Sequence, residues 1–125
     1  MNEQQIQLGL HLALLADDRY TLLFRKKGHP HALLGAGFLL SLLKGKEYAT
    51  NVEIVENLKL VYQAIDDAGF NLRSDAPGCT GNDFIPLPED KFVSATIQTL
   101  DLLHALKFVP ATGNYLVMQD FYNYY

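Results

Sequence analysis

The densest group of reactive and oxygen-bearing side chains lies in Asp75-Ala76-Pro77-Gly78-Cys79-Thr80-Gly81-Asn82-Asp83. Two chemistries fit these residue types. Cys79 could attack a carbonyl if a histidine took its proton, with the flanking glycines freeing backbone N–H groups for the oxyanion. Alternatively, Asp75, Asn82 and Asp83 offer the oxygen donors that a hard cation requires. The spacing lacks the alternating acids, central glycine and distal glutamate of an EF-hand, and no Gly-Lys-Ser/Thr follows to cradle a phosphate. Glycines and acids are also the ordinary contents of an exposed turn. Asp75, Cys79 and Asp83 are loop candidates, with no catalytic residue and no metal ligand assigned.

His29-Pro30-His31 places two imidazoles two residues apart. With His11, His104 or an acid they could ligate a transition metal. The intervening proline does not force both rings toward one point, and a histidine at a helix start more often caps it or faces water. His104 shares a stripe with Leu100 and Ile97 and is expected as a hydrogen-bonded core residue. His11, on a polar stripe with Gln4, Gln7 and Asp18, is expected at the surface. Ser41-Leu42-Leu43-Lys44 has the Ser-x-x-Lys spacing of some acylating hydrolases, but it falls at the end of an apolar helix without the accompanying motifs.

Charge narrows the partners. Residues 1–46 hold six Lys/Arg and three Asp/Glu, and residues 47–125 hold four and eleven, balances of +3 and −7 within a total of −4. Arg25-Lys26-Lys27 and Lys44-Gly45-Lys46 would form one basic patch if their helix ends met. The acidic total and the lack of interleaved aromatics weigh against nucleic acid.

These side chains need a scaffold, and helical periodicity dominates it. Ile54, Val55, Leu58, Val61, Tyr62 and Ile65 recur at helical steps over Asn51 to Ala68, opposite Glu53, Glu56, Gln63 and Asp67. Thr50 and Glu53 fit a capping box, and Gly69 fits a stop. A second helix is expected from Pro88 to Lys107, with Glu89 and Asp90 in its first turn. A third runs from Pro30 to Lys44 and is apolar nearly all round, which places it centrally. Gly35 and Gly37 inside it predict a neighbouring helix at close range. For residues 1–27 the reading prefers two short helices meeting at Asp17-Asp18, with a hairpin as the alternative. Residues 71–87 form one long loop, and Tyr115 to Met118 is strand-like.

The fold expected is therefore all-α for the most part. It is a compact single domain over residues 1–125, a bundle of four to five helices carrying a docked C-terminal strand-like or helical segment. One cysteine excludes an intrachain disulfide. The first residues lack a signal-peptide pattern, and the longest uncharged apolar run, Ala32 to Leu43, is shorter than the roughly 18 residues of a span. A soluble, cytoplasmic protein without membrane partners or cofactors is expected.

The last eleven residues hold five of the fourteen aromatic side chains. Tyrosine concentrates at interfaces because it offers a rigid face and a polar tip at low entropic cost. Tyr115, Asp120, Phe121, Tyr122, Tyr124 and Tyr125 are the expected contact residues. The leading function is a small acidic non-catalytic protein that binds another protein and modulates or inhibits it, with a homodimer through the same tail as a variant. The alternative is a small enzyme or ligand-binding domain with its site under the 71–87 loop, using Cys79, Asp75 or Asp83 and a histidine.

Overall fold

The computed structural model describes residues 2–26, 28–67 and 86–119. It is mostly helical, with a small three-stranded sheet. The order is α1 (Glu3–Phe24), α2 (Pro30–Leu42), β1 (Tyr48–Thr50), α3 (Asn51–Asp67), α4 (Glu89–Leu102), β2 (Leu106–Val109) and β3 (Asn114–Val117). Among the described residues, no helix is long and apolar enough to cross a membrane.

α1 is one helix, where two short ones or a hairpin were expected. Asn2 and Gln5 form a reciprocal capping box that starts it. No Gly or Pro interrupts residues 10–24, and an aspartate inside a helix costs well under about 1 kcal/mol, too little to break it at Asp17-Asp18. The alternation of Ile6, Leu8, Leu10, Leu12 and Leu14 that suggested a strand belongs to a helix that is apolar on more than one side.

α2 explains its own composition. Residues 31–41 are all buried, so an all-round apolar helix sits where every face meets protein. α1 returns antiparallel along it, with Gly9 against Phe38 and Gly37 against Gly9 and Ala13. Gly35, on the opposite side, faces α4: a methyl group there would lie 2.6 Å from Phe92 Cζ and 2.7 Å from Thr96 Oγ1. The two glycines serve two neighbouring helices, where the sequence reading placed one.

The Thr50 hydroxyl accepts from the Glu53 N–H at 3.0 Å, as the capping pattern predicts. The Glu53 carboxylate, however, takes the Lys46 ammonium at 2.9 Å, so half of the box is replaced by an ion pair. The α4 boundary departs further from expectation. The helix stops at Leu102, and His104 takes the left-handed conformation, φ 58°. Ala105 N–H donates to Leu100 C=O and His104 N–H to Asp101 C=O, the paired bonds of a Schellman stop. His104 is therefore exposed rather than in the core.

The chain released by that stop builds the sheet, order β1-β3-β2, antiparallel throughout. Val109 C=O accepts from the Thr112 and Gly113 N–H groups, and Gly113 at φ 71° closes the β2–β3 hairpin. Register puts Ala49, Tyr115 and Phe108 in one row and Tyr48, Leu116 and Lys107 in the next. Ala49, Leu106 and Val117 are buried toward the helices. The alternate row turns outward. One hydrophobic cluster runs from Leu12 of α1 through α2, α3 and α4 to Val117 of β3.

Candidate functional site

The His29-Pro30-His31 motif is structural. His29 is the N-cap of α2, its Nδ1 accepting from the His31 N–H at 3.2 Å, with Pro30 at the first helical position. His29 is exposed and His31 is not. His31 is buried between Phe92 and Tyr62, ring centroids 4.5 and 5.5 Å away. Its Nδ1 accepts from the Leu87 N–H at 3.0 Å, and the Tyr62 hydroxyl donates to the Leu87 carbonyl at 2.9 Å. Both hydrogen-bonding groups of Leu87 are thus clasped by side chains from α2 and α3.

An accepting Nδ1 requires the neutral ring with its proton on Nε2. Burial, followed by repulsion from His29, pushes the His31 pKa down to about 4. Burial also lowers that of His29. Each Nδ1 lone pair is committed to a backbone N–H, so the pair presents no joint metal-binding face. Among the described residues, no group of three or more His, Cys, Asp or Glu side chains comes together.

The other sequence candidates scatter. Asp75, Cys79 and Asp83 lie outside the described residues, as do Asp120, Phe121, Tyr122, Tyr124 and Tyr125. Tyr115 is described: it lies in β3 on the helix-facing side, half-buried, its ring 5.2 Å from Phe108. The two basic runs do not merge. Arg25 and Lys26 sit where α1 turns into α2, whereas Lys44 and Lys46 follow the far end of α2, a 13-residue helix and so about 20 Å away. Lys46 is also paired with Glu53.

Two surfaces absent from the sequence reading stand out. On the outward face of the sheet, Tyr48, Val109, Thr112, Asn114 and Leu116 border an open hollow of about 370 Å³. Tyr48-Ala49-Thr50 alternates exposed and buried as a strand should, but three residues are too short a run to read as one. The second surface is the C-terminal end of α1, where Leu22, Leu23 and Phe24 are all exposed. Their apolar character was visible in the sequence, and their exposure was not.

Comparison with protein-family models, with curated proteins and with solved structures finds no match. The functional reading therefore rests on these surfaces and on the sequence itself.

Proposed function

We propose that this chain is a non-catalytic protein that binds another protein and modulates or inhibits it. Docking uses the outward face of the sheet together with the aromatic segment that follows β3. The observation that carries this reading is Tyr48, 57 % exposed and directly across from Leu116 on a face that no helix covers among the described residues. Tyrosine beside aliphatic side chains on a shallow face is the composition of a binding hot spot. Thr112 and Asn114 at its edge offer polar groups suited to a rim.

Chain continuity supports the reading as well. Val117 ends the central strand, and Asp120, Phe121, Tyr122, Tyr124 and Tyr125 follow within eight residues. The balance of −7 over residues 47–125 suits a basic partner surface and would speed encounter by electrostatic steering. A second copy using the same face is the homodimer form of the proposal.

The test is co-purification from the native host. Tyr48→Ala and Leu116→Asp should each remove the co-eluting protein, and deletion of residues 119–125 should do the same, while the helical circular-dichroism signal persists. Retention of that protein by both point variants would rule the sheet face out.

A further inference from the structure

The turn between α1 and α2 presents a surface whose chemistry differs from that of the sheet face. Residues 21–26 are all exposed, and within them Leu22, Leu23 and Phe24 are 80, 50 and 38 % exposed. Successive helical residues are about 100° apart, so these three side chains fan over roughly 200° of the helix circumference. A groove on a protein accepts one stripe of a helix at i, i+3, i+4 and i+7 spacing. A fan of consecutive large apolar side chains is instead matched by a medium that surrounds a protruding tip.

The next two residues identify that medium by charge. Arg25 and Lys26 are exposed immediately beyond the apolar fan, and Lys27 follows in the sequence. The acids of the same helix nearest the tip are Asp17 and Asp18, and Asp18, one turn before Leu22, borders a hollow that it shares with Arg19, Leu22 and Leu23. Arg25 also holds the left-handed C-cap conformation, φ 53°, its N–H donating to the Thr21 carbonyl at 2.7 Å. Glycine or asparagine takes that conformation with less strain. Arg25 thus places an exposed cation where the chain turns back. The Tyr20 and Phe24 rings lie 4.7 Å apart at 50° to one another, and Gly28 packs against Tyr20 and Leu33, which makes the tip a formed feature.

We propose that the α1–α2 turn is a membrane-surface anchor that seats Leu22, Leu23 and Phe24 at the acyl boundary of an anionic lipid leaflet, with Arg25 and Lys26 on the headgroups. Apolar burial and attraction to anionic lipid together set the strength of such binding. The anchor is independent of the sheet-face partner and would place that interaction at a membrane.

Vesicle binding tests it with the full chain. Co-sedimentation is expected with phosphatidylcholine vesicles containing phosphatidylglycerol, and about thirtyfold less with phosphatidylcholine alone. Arg25→Ala with Lys26→Ala should lower partition into the anionic vesicles about thirtyfold, as should Leu22→Ser with Leu23→Ser. The chain has no tryptophan, so Leu22→Trp supplies a single reporter that should shift to the blue when anionic vesicles are added. Equal partition into neutral vesicles, or anionic binding unaffected by all four substitutions, would overturn the proposal. A blue-shifted Leu22→Trp spectrum without lipid, rising with protein concentration, would overturn it in favour of a second copy covering the tip.

Discussion

His31 Nδ1 accepts the Leu87 N–H across 3.0 Å, joining residues 56 apart in sequence through one buried imidazole. The bond fastens the chain entering α4 to the first turn of α2, and it exists only while His31 is neutral. Protonation would set an N–H against the Leu87 N–H in a site shared with two aromatic rings. A pH dependence follows from that geometry.

The unfolded chain takes up this proton at about pH 6.5 and the folded chain only near pH 4. The folded pKa is the lower one, so the stability is complete above pH 6.5 and is lost as pH falls toward 4, by up to about 3 kcal/mol. His29, shifted the same way, adds to the loss. Thermal melts across this window should fall steeply for the native chain and less steeply for His31→Gln. A slope unaltered by His31→Gln would assign the dependence to other groups.

Tyr62 holds the carbonyl side of the same residue. Tyr62→Phe keeps the ring against His31 and Phe92 and removes only the hydroxyl, for an expected cost of about 1 kcal/mol in denaturant unfolding. A loss that small also predicts an intact fold, to be checked by the coincidence of circular-dichroism and fluorescence transitions.

Thr96 Oγ1 is sealed from solvent in the α2–α4 contact and has no hydrogen-bond partner among the described residues. Thr96→Val replaces a desolvated hydroxyl with a methyl group of similar volume. The melting temperature should rise, corresponding to about 1 kcal/mol of stabilisation. A fall would mean that the hydroxyl has a partner after all.

Gly37 lies where the α1 and α2 backbones approach most closely, its missing Cβ facing the Gly9 carbonyl and Ala13. Backbone atoms cannot swing aside as a flexible side chain does. Gly37→Ala should therefore force the helices apart and cost about 3 kcal/mol, whatever alanine adds in helix propensity. Gly45, with nothing within 4 Å but φ at 87°, provides a contrast: Gly45→Ala should cost only about 1 kcal/mol, from backbone strain alone. Chemical denaturation of the two variants separates packing from conformation.

Arg25 and His104 are the two described non-glycine residues with positive φ. At both, glycine relieves strain while loosening the unfolded chain, so Arg25→Gly and His104→Gly should be neutral to stabilising, by up to about 1 kcal/mol. Their functional effects should differ. Arg25→Gly should weaken binding to anionic vesicles without lowering the melting temperature, whereas His104→Gly should leave that binding unchanged.

Much of the helical framework was legible in the chain because its determinants are local. The Thr50 hydroxyl caps α3 as its position before Asn51 indicated, and Ile54, Leu58, Val61 and Ile65 are buried at the spacing that identified them. Gly35 and Gly37 announced close helix packing. The candidate site was less legible. The chosen contact residues fell largely on the aromatic tail, and the described one, Tyr115, turns toward the helices. Exposed Tyr48, Leu22 and Leu23 look like core residues in a linear reading, since apolar composition says nothing about which apolar residue lacks a neighbour.

What the sequence determined by itself is the place of α2 and α3 and the start of α4, with their polar and apolar sides, because caps and periodicity act within a few residues. What only the tertiary structure decided is the sheet and the early end of α4. β1 pairs with a strand more than sixty residues later, and β2 exists because His104 accepts a left-handed turn that ends α4 early. Those outcomes depend on hydrogen bonds and packing between distant segments, where local propensity differences of a few tenths of a kcal/mol are easily outweighed.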